Sequence, residues 1–208
     1  MLSTQVVNLR KGVTIEILSI LWMIVEAAVA TSSGLQAHSL ALVAFGADSI
    51  IELIAGVILL WRLLVEMNGG SLSQVKRAER TSSWVVGVAL LLLAVYIVTS
   101  AAHGLLTHSS ADASLSGLAL AVASGLLMPI LARAKKRIGS EIGSKALKAD
   151  GSCSIVCAYM AWTLLVGLVL TTLFGWWWLN AVAGLALVYF VVKEGIEAIQ
   201  EARGVPDT

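Results

Sequence analysis

Two pairs of potential metal ligands sit four residues apart within apolar sequence: Asp48 and Glu52 in ADSIIEL, and Cys153 and Cys157 in DGSCSIVC. In a helix this spacing places both members of a pair on one face, about one turn or roughly 6 Å apart, so each pair can grip one ion. Two carboxylates and two thiolates form a four-coordinate donor set suited to Zn²⁺ or a softer ion. In hydrocarbon an ionised carboxylate costs at least about 2.5–3.5 kcal/mol, so two within one span call for a divalent cation or protons as partners. The plainer reading, in which the acids only hydrogen-bond to neighbouring Ser, Thr or Tyr and the thiols only fill space, stays open at this point.

The surroundings favour close helix contact. Ala44, Asp48, Glu52 and Gly56 form one ridge with Ala41 and Ala55 beside it, and Cys153 and Cys157 continue to Met160 or Ala161. Small residues let a neighbouring helix approach, as an ion bridging two helices requires. Glu26, midway along an apolar stretch, is either a proton carrier or partner of the site, or an interhelical hydrogen-bonding group. Asp150, one turn before Cys153, guides ions at an inner mouth or caps its helix, and capping is the expected role. His38, His103 and His108 are expected as solvated residues.

The elements that must position these groups follow from composition. Of 208 residues 58% are hydrophobic and 13% charged, and mean hydropathy is +0.90. Soluble domains carry about 25% charged residues, so an integral membrane protein is expected. The hydropathy pattern predicts an all-α membrane protein with one transmembrane domain over 1–208 and six spans. These are Val13–Thr31, Leu40–Leu64, Trp84–Leu106, Leu115–Ala132, Ala149–Phe174 and Leu179–Ile199. Glu16 falls near the end of the first.

All 14 Lys and Arg lie in the N-terminal segment (Arg10, Lys11), the second connection (Arg62, Lys76, Arg77, Arg80), the fourth (Arg133, Lys135, Lys136, Arg137, Lys145, Lys148) and the C-terminal end (Lys193, Arg203). The intervening connections 32–39, 107–114 and 175–179 have none, which predicts both termini in the cytoplasm. The first span is expected as a signal anchor, because no cleavage site follows it. Trp176, Trp177 and Trp178 are expected as an interface anchor. The basic run ARAKKRIGSEIGSKALK reads as a topology signal and anionic-lipid contact, and no nucleic acid is expected as a partner. No Walker motif is present, so direct drive by ATP is not expected, nor is enzymatic activity or a resident cofactor.

The stretch GLQAHSLALVAFGADSIIELIAG resembles the first-loop and second-span region of cation diffusion facilitators, and LKADGSCSIVCAYMAW with the sequence to Ile199 resembles their fifth and sixth spans. Asp48 and Glu52 match that family's Asp-x-x-x-Asp with the second acid lengthened. Cys153 and Cys157 stand where the family usually has His-x-x-x-Asp, and Asn180-Ala181 where it often has Asp-Pro. Nine residues follow Ile199, so the resemblance implies a short form without the family's C-terminal cytoplasmic domain. It further implies a homodimeric carrier in a prokaryotic inner membrane that exports Zn²⁺, or Cd²⁺, Co²⁺, Fe²⁺ or Pb²⁺, in exchange for protons. Two rivals remain at this stage: a membrane thiol oxidoreductase using the cysteine pair, and a metal-binding membrane protein that does not transport.

Overall fold

The computed structural model describes residues 2–36, 40–107, 115–174 and 178–204, all in helices or short turns. Six helices follow in order: α1 (Leu2–Gln36), α2 (Leu40–Met67), α3 (Leu72–Thr107), α4 (Leu115–Ile142), α5 (Lys145–Phe174) and α6 (Leu179–Ala202). Each expected span falls inside one of them. Stretches in α1, α3 and α4, with mean hydropathy 2.0, 2.5 and 2.0, are long and apolar enough to cross a bilayer by length and composition. The histidines His38 and His108 and the ring pair Trp176 and Trp177 lie outside the described residues.

Polarity is distributed as lipid solvation demands. Leu18, Leu21, Ile54, Leu92, Val95, Leu126, Ile130 and Tyr189 are exposed, whereas Glu16, Glu26, Asp48, Glu52, Lys135 and Asp150 are buried. A water-soluble bundle would reverse this arrangement, because charged groups are almost never fully buried without a partner.

The closest pairings are α1 with α2, α4 with α5, and α3 with α6. Contacts of α1 with α4, α2 with α3 and α5 with α6 close these pairs into a ring, and α2 also meets α5 across it. The α3–α6 crossing runs through glycines: a Cβ on Gly87 would come within 2.9 Å of the Gly195 carbonyl oxygen. Backbones can approach so closely only where side chains are missing.

The ends of the helices on the Lys/Arg-bearing side are set locally. At the start of α3 the Ser71 amide donates to Gln74 Oε1 (2.8 Å) and the Gln74 amide to Ser71 Oγ (3.3 Å), a reciprocal capping box. Gly143, at φ +71°, ends α4, and Ser144 then accepts the Leu147 amide at 3.1 Å to open α5. A carboxylate from α3 completes that cap: Glu79 accepts the Ala146 amide (2.7 Å) and the Ser144 hydroxyl (3.1 Å), and it pairs with the buried Arg62 of α2. The expected capping role of Asp150 is therefore corrected. Asp150 lies inside α5, past its first turn, and its side chain pairs with Lys135 of α4 instead.

The basic run is also not a loop. Its first part continues α4 as far as Ile142, and Lys135 falls on the stripe Leu131, Lys135, Ile138, Ile142 that α4 buries.

Pro129 lies inside α4 and has no N–H to donate to the Gly125 carbonyl one turn earlier. The Trp162 indole of α5 supplies the missing donor, with Nε1 2.9 Å from that oxygen. Gly125 makes the approach possible, since a Cβ there would lie 3.0 Å from the same nitrogen. Trp162→Phe should therefore cost about 1–3 kcal/mol in a chain that keeps Pro129. It should cost much less in a Pro129→Ala background, where an amide again serves the carbonyl. Thermal unfolding of the four variants of this cycle in detergent gives the coupling, and additive losses would contradict it.

Candidate metal site

Four helices converge at mid-bundle. Phe45, Met23, Ala30, Leu120, Ala121, Met128, Ala158 and Ala161 from α1, α2, α4 and α5 pack into one apolar cluster that includes Cys157. Within that packing, Asp48, Glu52 and Cys157 are fully or almost fully buried. One oxygen of each carboxylate and the Cys157 sulfur lie within 4.8 Å of one another. Donor atoms so spaced can close on a single ion with small side-chain adjustments, given ligand bonds of about 2.0–2.3 Å for Zn²⁺.

None of the four carboxylate oxygens of Asp48 and Glu52 has a hydrogen-bond partner among the described residues. An unsatisfied buried acceptor costs about 1–3 kcal/mol, and more when charged. The plainer reading of these acids, hydrogen bonds to neighbouring Ser, Thr or Tyr, finds no such bond among the described residues. The arrangement fits a cation or protons in its place.

Glu26 of α1 is completely buried beside this group. It accepts a hydrogen bond from Ser124 of α4, and the Cys157 thiol donates to it with its sulfur 3.9 Å from each carboxylate oxygen. Both readings offered for Glu26 thus have a structural counterpart, because its hydrogen bonds cross between helices and one of them reaches a proposed ligand. Such a bond orients the thiol and gives its proton an acceptor.

Of the four expected donors, three lie together. Cys153 is not in the group that Asp48, Glu52 and Cys157 form; it packs instead with Ala55 of α2, Val86, Ala89 and Leu90 of α3, and Val191 of α6. The reason lies in side-chain reach. A glutamate arm can lean along the helix toward an aspartate one turn away, whereas a thiol one bond from Cβ stays at the level of its own turn. Both cysteines are buried and free. His103 is on an exposed part of α3, away from this packing.

Sequence reasoning missed Ser124, Glu16 and Lys135 as members of the buried polar set. Helical phase carries the signal for two of them: Leu120, Ser124, Met128, Leu131 and Lys135 recur at steps of three and four along the buried face of α4. Lys135 meets Glu16 and Asp150 in the layer next to Cys153, and all three are completely buried.

The profile of the cation efflux transmembrane domain matches residues 17–204. The chain is 24% identical over 193 residues to Transmembrane protein 163 of Xenopus laevis, covering 92% of this chain and 67% of that protein. It is 25% identical over 166 residues to an uncharacterized transporter of Synechocystis sp., covering 78% of this chain and 54% of the other. The chain thus spans about two thirds and about half of the lengths of these two relatives.

With only Cys157 in the trio, the chain's two cysteines are not equivalent. Cys157→Ser should weaken Zn²⁺ binding by more than the roughly tenfold that losing even an outer partner of a ligand costs, and Cys153→Ser far less. Competition against a chromophoric chelator measures both, and equal losses would instead place both sulfurs on the ion.

Proposed function

The chain belongs to the cation efflux family, and from that premise we propose a secondary transporter that moves a divalent transition or heavy metal, with Zn²⁺ foremost, out of the cytoplasm in exchange for protons. The observation that carries this reading is the trio of Asp48, Glu52 and Cys157, close together, buried in an apolar bundle, with carboxylate oxygens that meet no donor among the described residues. Two carboxylates alone would suit Mg²⁺ or Mn²⁺; the sulfur moves the preference toward Zn²⁺, Cd²⁺ and other softer ions.

Coupling follows from charge. Fully ionised, the three donors carry three negative charges against the two positive charges of the ion. The ligands must be deprotonated to bind, so loading releases protons and unloading takes them up. Glu26, bonded to both Ser124 and Cys157, is an acceptor for the thiol proton. In this reading Asp48 and Glu52 hold the ion from α2 and Cys157 clamps it from α5. The site joins α2 to α5, a pair that otherwise touch little, so a shift of one against the other opens and closes it.

Orientation and assembly complete the proposal. The confinement of Lys and Arg to alternate connections and both ends supports six spans with cytoplasmic termini. Homodimerisation rests on the family resemblance. The rival thiol-exchange reading has less support, since the two free cysteines lie in different packing clusters.

Reconstituted vesicles test this. Zn²⁺ or Cd²⁺ flux should be saturable, should rise when a proton gradient opposes the metal's direction, and should fall more than about tenfold in Asp48→Asn. Flux indifferent to the gradient would remove proton exchange, and flux unchanged in Asp48→Asn would remove the site.

A further inference from the structure

The layer next to Cys153 holds a second buried charge cluster. Glu16 of α1, Lys135 of α4 and Asp150 of α5 all have 0% exposure. The Lys135 ammonium bonds Asp150 Oδ2 and lies 3.3 Å from Glu16 Oε2, leaving Glu16 Oε1 and Asp150 Oδ1 without hydrogen-bond partners among the described residues. Two carboxylates share one ammonium here, so a single lysine cannot serve both acids fully and each keeps an oxygen free to accept another cation.

Its placement ties it to the metal site. Gly56 follows Glu52 by one helical turn, and a Cβ there would lie 2.9 Å from Glu16 Oε1, so Glu16 rests against α2 directly below Glu52. Asp150 precedes Cys153 by a turn on α5, and Cys157 follows by another. Asp48, Glu52 and Cys157, followed by Glu16 and Asp150, therefore form a column between α1, α2, α4 and α5 that runs toward the helix ends carrying most Lys and Arg, with Cys153 beside it among residues of α3 and α6. Lysine is a compact charge on a flexible arm, able to leave one partner and return.

Resting on the reading that Asp48, Glu52 and Cys157 bind a cation, we propose that Glu16 and Asp150 form a second cation station and that Lys135 is its tethered plug. A divalent ion passing between the trio and the Lys/Arg-bearing ends displaces the ammonium and is held in transit by the two carboxylates. With the ion gone, Lys135 returns and closes the column.

Ions bound per chain, counted by equilibrium dialysis of the full chain in detergent with Zn²⁺ and with Mn²⁺, test the assignment. The wild type should hold one Zn²⁺, Lys135→Met two, and Lys135→Met with Asp150→Asn one again. Asp48→Asn with Lys135→Met should keep an ion at the lower station alone, and Mn²⁺ should bind there, since oxygen donors accept it. Lys135→His serves if the Met variant does not fold, because an imidazolium can replace the ammonium and, once deprotonated, becomes a ligand. A folded Lys135 variant that binds no more ions than the wild type, or an extra ion that survives Asp150→Asn, overturns the station. A wild type that binds nothing, beside a Lys135→Met chain whose single ion depends on Asp150, would instead sustain the station and remove the proposed function.

Discussion

Carboxylate oxygens buried without hydrogen-bond donors are the constraint around which this bundle is organised. Asp48 and Glu52 sit in the interior of helices whose outer faces are Leu, Ile and Val, and none of their oxygens finds a hydrogen-bond donor among the described residues. Neither bulk water nor lipid can offset that cost in place. Everything nearby either supplies compensation, as Ser124 does for Glu26 and Lys135 for Asp150, or allows helices close enough to share it.

Closeness is achieved by small residues and by borrowed hydrogen bonds. Gly56 leaves room for the Glu16 carboxylate, and Gly87 and Gly195 let α3 and α6 touch backbone to backbone. Pro129 frees a carbonyl in α4, and Trp162 from α5 reaches across to use it, joining the two helices beside the layer that contains Cys157. Toward the Lys/Arg-bearing ends, Glu79 bonds both the α5 cap and Arg62, so α2, α3 and α5 are fixed together there. Farther into the bundle α2 and α5 meet sparsely, so the candidate metal site lies on a junction with few other contacts.

Much of this was readable in the sequence, for identifiable reasons. Hydropathy located every helix because lipid solvation imposes long apolar runs, and the i, i+4 spacing of Asp48 and Glu52 identified a face. What the sequence did not reveal depends on side-chain reach and helical phase between elements. Asp150 looks like a cap because it stands early in its span, yet Ser144 and Glu79 had already started the helix. Lys135 looks like one more charge in ARAKKR, and only the phase set by Leu131 and Ile138 turns it inward. Cys153 and Cys157 look equivalent from spacing alone; packing against α3 and α6 separates them.

X-ray absorption at the zinc edge of the Zn²⁺-loaded chain reads the atoms around the ion itself. A shell of oxygens from Asp48 and Glu52 with a sulfur from Cys157 at about 2.3 Å is expected. A shell made of nitrogen and oxygen alone, or one in which the sulfur signal persists in Cys157→Ser, would contradict it.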